Sequence, residues 1–118
     1  MNWSAIGAVL LGLAVMSGAF GAHALRERLD AYSMGVWEKA VFYHFVHALG
    51  LLVTPLLAKS AANIVGMLLF AGILLFSGSL YALALTGVRT LGAVTPLGGL
   101  AFIAGWLWLA FDLYRGKA

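Results

Sequence analysis

Four stretches of this chain run for about twenty residues or more without a charged side chain, and no other feature constrains the fold as tightly. A helix rises about 1.5 Å per residue, so about 20 apolar residues cross the roughly 30 Å of bilayer hydrocarbon. The stretches cover residues 3–22, 40–58, 61–86 and 91–111, and every Lys, Arg, Asp and Glu lies between or outside them. Composition agrees: 64% of the 118 residues are hydrophobic and 9% are charged. A soluble domain carries about 25% charged residues and avoids large exposed apolar patches. The expected fold is therefore an all-α membrane protein, an antiparallel bundle of four transmembrane helices forming one domain over residues 1–118. The cell membrane is its expected location.

The linkers set the topology. Residues 59–62 and 87–90 are tight turns, which place helices 2, 3 and 4 in an up-down set. The connection over residues 23–39 is longer and polar. Within it Leu25, Leu29, Tyr32 and Val36 recur at helical spacing among Arg26, Glu27, Arg28 and Asp30. That pattern predicts a short amphipathic segment lying in the interface after helix 1, with a solvated loop as the alternative. Trp3, Trp37, Trp106, Trp108 and Tyr114 are expected to be interfacial aromatics. Ala22-His23-Ala24 has the small-x-small form of a cleavage site. The segment before it lacks Lys and Arg and is long for a signal peptide, so the first span is expected to be retained. Charge bias does not fix orientation: Lys59, Arg115 and Lys117 on one side face Arg26, Arg28, Lys39 and Arg89 on the other.

Lipid gives helices no hydrophobic reason to associate, so small residues that permit close approach become informative. Gly7, Leu11, Ala14, Gly18 and Gly21 form a seam on helix 1, and Gly98, Ala101 and Gly105 form one on helix 4. These are expected helix contacts, within one chain or between copies. Helix 2 divides into halves at about 100° per residue. One half holds Val41, Phe42, Phe45, Val46, Leu49, Leu52, Val53 and Leu56. The other holds Trp37, Ala40, Tyr43, His44, His47, Gly50, Leu51, Thr54 and Pro55, and so all the polar side chains of the span. The first half is expected to face lipid and the second protein.

His44 and His47 lie roughly 7 and 12 Å into the membrane, counted along the helix from Lys39. Ionisable groups at that depth are costly and face the bundle interior. His23, Glu38, Tyr43 and Thr95 are expected near the same end, so that three histidines, a glutamate and hydroxyl groups converge, with Ser77, Ser79 and Tyr81 extending the network. Several roles are open. Neutral histidines can fix helix packing through hydrogen bonds. They can handle protons or ions, or ligate a metal or haem. The same face can line a pocket for a lipid, a quinone or a partner helix. A spacing of three is weak evidence for a metal, since residues three apart on a helix are neighbours in any case.

Other chemistry is poorly provided for. The chain has no cysteine, which excludes disulfides, thiolate nucleophiles and Cys-based metal sites. Nothing resembles a hydrolase triad, a phosphate loop or a nucleotide fingerprint. No span carries a central carboxylate of the kind a small drug/proton antiporter needs for coupling. The net charge of +3 suits lipid headgroups better than nucleic acid. Pro55 is expected to kink helix 2, and Pro96 to sit in the first turn of helix 4. Asp112 and Arg115 are spaced for an interfacial ion pair.

The run Gly18-Ala-Phe-Gly-Ala-His-Ala-Leu25 resembles the end of helix 1 in the family called domain of unknown function 423. These are the YgdD-like small bacterial inner-membrane proteins, to which the eukaryotic transmembrane protein 256 is similar. The likeness continues through Trp37, Ala40, Tyr43-His44, His47-Ala-Leu-Gly50, Phe76-Ser-Gly-Ser-Leu-Tyr81, Thr86-Gly87, Leu91-Gly92, Thr95-Pro-Leu-Gly-Gly99 and Gly105-Trp106. It implies a multi-pass protein of the bacterial cytoplasmic membrane and carries over no catalytic residue or cofactor. The expectation is a non-enzymatic accessory or self-associating membrane component, with membrane lipid and further copies as partners. A ligand-binding or transport protein built on the His face of helix 2 is the alternative.

Overall fold

In the computed structural model, residues 1–116 are described, and Lys117 of the charge comparison lies outside them. They form four long helices and, among the described residues, no strand. Helix α1 spans Trp3–Leu25, and its last residues, Gly21–Leu25, form a wide π-helical turn. Helix α2 spans Ala31–Leu57. Helix α3 spans Ala62–Thr86 with a π-helical turn at Ile73–Ser77. A 3₁₀ turn over Arg89–Ala93 then leads into α4, Thr95–Gly116. All four are long and apolar enough to cross a membrane.

The ends follow from local chemistry. The Asn2 side chain accepts from the Ala5 amide and caps α1. The Asp30 carboxylate accepts from the Ser33 amide at 2.7 Å and starts α2. That amide, the Ser33 hydroxyl and the nearby Arg89 charge hold the Asp30 carboxyl below its ordinary value. Gly87 ends α3 at φ 74°, a conformation open to glycine, and its N–H bonds the Leu83 carbonyl. Pro55 lies in the last turn of α2, where its missing N–H costs one bond, and the helix stops at Leu57. Pro96 falls in the first turn of α4.

The stretch over residues 23–39 is not a separate interfacial segment. His23 to Leu25 complete α1, a turn follows, and Ala31 to Lys39 are the first turns of α2. The reason is the Asp30 cap: once it starts a helix, no proline interrupts the run into the apolar span. The spaced apolar residues are divided: Leu25 ends α1, Leu29 lies in the turn, and Tyr32 and Val36 lie on the first turns of α2.

Helices α2 and α3 form the inner pair, with α1 packed on α2 and α4 on α3. Leu51, Val65 and Leu69 are fully enclosed between them. On α2, none of the apolar half is buried, whereas Trp37, Ala40, His44, His47, Gly50, Leu51 and Thr54 all are. Gly7 brings α1 onto the α2 backbone, where a Cβ would fall 2.6 Å from the Leu52 nitrogen. Gly98 brings α4 equally close to the backbone of Phe76 in α3.

Of the five aromatics expected at the interface, Trp3 and Trp37 are turned into the bundle and Trp106 lies midway along α4. Trp3 sets its ring on Gly66 and donates Nε1 to Asn63 at 3.0 Å. Trp37 is buried in a small cluster with Leu25, Met34 and Ala84. The Trp106 ring lies over Gly50. In each case a glycine leaves a hollow that an indole fills, and close packing of this kind holds helices together in lipid. Trp108 and Tyr114 are exposed.

Candidate functional site

The inward face of α2 brings its two histidines to different neighbours. His44 is buried, and its Nδ1 lies 2.8 Å from the Tyr81 hydroxyl of α3. Its Nε2 is enclosed and has no hydrogen-bond partner. The Tyr81 ring packs against Trp37 with centroids 4.6 Å apart, and Trp37 Nε1 donates to the Ser17 carbonyl of α1. Two hydrogen bonds joined by a ring contact thus link α1, α2 and α3.

His47 faces the other way. Its Nδ1 lies 2.8 Å from the Tyr43 carbonyl of its own helix. A carbonyl only accepts, so the proton sits on Nδ1. The ring is stacked on Phe102 of α4, with centroids 3.4 Å apart and planes within 9°. Trp106 closes a further side, with its ring 5.7 Å away. Tyr43 is half-buried and packs on Phe76 at 4.4 Å.

The hydroxyls bridge helices as well. Ser77 is buried and donates to the Ala40 carbonyl across α2 and α3 at 2.8 Å. Ser79 and Thr95 share a hydrogen bond between α3 and α4 at 2.6 Å. Ser77 and Ser79 are about 200° apart on α3, so they meet the neighbours on its opposite flanks.

The expected convergence is incomplete. His23 and Glu38 are exposed, and Glu38 pairs with Arg26 at 3.7 Å outside the bundle. His23 lies two residues beyond buried Gly21, about half a turn round α1, and so faces outward. Among the described residues no three His, Asp or Glu side chains gather as a metal-holding group. At the other end Asp112 is buried and accepts from Arg115 at 3.1 Å.

The small residues are spread over both outer helices. Gly21 seats the Trp37 ring, and Gly105 lies against Leu69. Ala14 is fully buried, while Gly18 and Ala101 are half-buried. Gly50, on the inward half of α2, receives Trp106, while Gly66 and Gly72, which spacing did not single out, receive Trp3 and Phe102. Phe102, the lid on His47, was likewise not singled out. The signal for Phe102 was its place one turn after Gly98, on the seam of α4.

The profile described as protein of unknown function DUF423 matches residues 17–99, which include both histidines, Tyr81, Ser79 and Thr95. The chain belongs to the DUF423 family. It is 49% identical over 113 residues to a UPF0382 membrane protein of Staphylococcus haemolyticus, covering 93% of each chain. It is 49% identical to one from Staphylococcus saprophyticus, over 93% of this chain and 94% of the relative. A third, from Staphylococcus epidermidis, is 53% identical over 105 residues and 86% of each chain. No solved structure matches. These bacterial DUF423 relatives are described as membrane proteins, in agreement with the four apolar helices, so the chain is a multi-pass bacterial membrane protein.

Proposed function

We propose that this protein is a non-catalytic membrane component that acts by associating with other helices, further copies of itself included. The observation that carries this reading is how the interior polar groups are used. Ser77, Ser79 and Thr95 are engaged in hydrogen bonds between helices, as His44 is through Nδ1, and His47 Nδ1 is taken up by its own helix. The outer flanks of α1 and α4 are apolar, with Val9, Val15, Met16, Leu100, Ile103 and Leu107 exposed. Chemical cross-linking in intact membranes, followed by purification in mild detergent, tests the reading. The expected result is a stable homo-oligomer or a stoichiometric partner. A monodisperse monomer with nothing co-purifying overturns it.

One atom favours a second reading, ligand binding or transport through the histidine face. His44 Nε2 is enclosed without a partner, and such a nitrogen can bond a water, a proton or a small ligand. A Soret band, a stoichiometric metal by elemental analysis or a retained quinone by mass spectrometry supports it. Three blanks, with His44→Ala and His47→Ala altering stability alone, exclude it.

A further inference from the structure

A groove of about 410 Å³ opens between the start of α2, the second half of α3 and the start of α4. Its walls are apolar along its length: Val36, Phe76, Leu80 and Leu83 line it, closed at one end by Pro96. Its other groups are cationic or already satisfied. Lys39 lines the groove, is exposed, and forms no ion pair among the described residues. Arg89 stacks over the ring of Tyr32, another wall residue, at 4.2 Å. The Thr95 hydroxyl is spent on Ser79.

The nearby carboxylates leave Lys39 unpaired among the described residues. Glu38 lies with Arg26. Asp30 bonds the Ser33 amide and offsets part of the Arg89 charge, which leaves Lys39 the stronger cation. Lys39 lies about 10 Å further along α2 than Tyr32, and its long stem can follow the wall while the ammonium reaches the headgroup layer. An apolar trough with Arg89 over its Tyr32 wall, and with Lys39 on the same α2 wall able to reach back toward Tyr32, matches an amphiphile with an anionic head.

We propose that this groove holds one anionic phospholipid, with its phosphate at Lys39 and Arg89 and one acyl chain along the α3 wall. The site is independent of whether the protein self-associates.

Native mass spectrometry decides it, with detergent-purified protein titrated with phosphatidylglycerol or with phosphatidylcholine of the same chains. Wild type is expected to retain phosphatidylglycerol well above phosphatidylcholine. Lys39→Gln with Arg89→Gln, both exposed positions, is expected to lower phosphatidylglycerol retention roughly tenfold or more. Gly92→Phe fills the trough while keeping both charges, because a Cβ there meets only Leu83 at 3.6 Å, and it is expected to lower retention of both lipids. Lys59→Gln, at the opposite membrane face, is expected to leave retention unchanged. Equal retention of the two lipids by wild type overturns the proposal. So does a double variant that holds phosphatidylglycerol as wild type does, or a loss in Lys59→Gln as large as in the double variant, which reports bulk attraction alone.

Discussion

The seam between α2 and α3 is bridged by polar bonds with no glycine set against backbone, whereas the seams that add α1 and α4 combine polar bonds with a glycine pressed on backbone. In the inner seam Ser77 reaches the Ala40 carbonyl, and Tyr81 reaches His44. In the outer seams Gly7 abuts Leu52 and Ala48, and Gly98 abuts Phe76. Both arrangements answer the same physical problem. Lipid tails are as apolar as leucine, so helices gain by packing closely or by satisfying polar groups on one another. The difference lies in tolerance. A polar bond lost in a membrane removes a modest, local contribution. A glycine enlarged against backbone forces two helices apart along their length, because backbone has no rotamer to yield.

The largest expected effect follows directly. Gly98→Leu or Gly7→Leu should cost about 3 kcal/mol or more, the upper end of overpacking penalties. Unfolding in mild detergent with added SDS measures this. Gly12→Leu, where a Cβ meets nothing within 4 Å, should stay within about 0.5 kcal/mol of wild type. Equal losses at Gly98 and Gly12 would show that glycine content, rather than contact, governs these helices.

The two histidines give the next contrast. His44→Phe deprives the Tyr81 hydroxyl of its partner inside the inner seam, which should cost about 1–3 kcal/mol. His47→Phe sacrifices only a bond to its own helix and keeps a ring on Phe102, so about 1 kcal/mol or less is expected. If the order is reversed in the same assay, His47 holds something that packing does not explain. Ser77→Ala, which removes a single interhelical bond, should cost about 0.6–1.7 kcal/mol by the same measurement.

These contrasts also mark what the sequence could and could not disclose. The spans were legible because charge is excluded from hydrocarbon, and the buried side of α2 was legible because imidazoles and hydroxyls share one half of it. The glycine seams of α1 and α4 were visible as spacing. Their partners were not: whether Gly66 receives Trp3 or Gly50 receives Trp106 depends on how far one helix is slid along another. Intrahelical periodicity holds no information on that offset. His23 is a different case. Its position in the chain places it at the correct end of the bundle, but it lies about 200° round α1 from Gly21 of the seam and so faces away. The spacing of that seam already implied this.

The smallest effect concerns the start of α2, where sequence and structure differ most. Asp30 lies outside the span, and its carboxyl is held below the ordinary value of 3.8 chiefly by the Ser33 amide. A depressed carboxylate stabilises the folded state fully above the unfolded value. That contribution fades as pH falls below about 4 and through the folded value. The first turns of α2 should therefore fray in acid, while the inner seam and the glycine contacts, which hold no carboxylate, stay in place. Hydrogen exchange at Ser33 and Met34 as a function of pH reports the fraying. Asp30→Asn keeps a side-chain acceptor for the cap and removes the titration, so its protection should be flat across the same range. Acid-dependent exchange that persists in Asp30→Asn would mean that the cap no longer accounts for why α2 begins where it does.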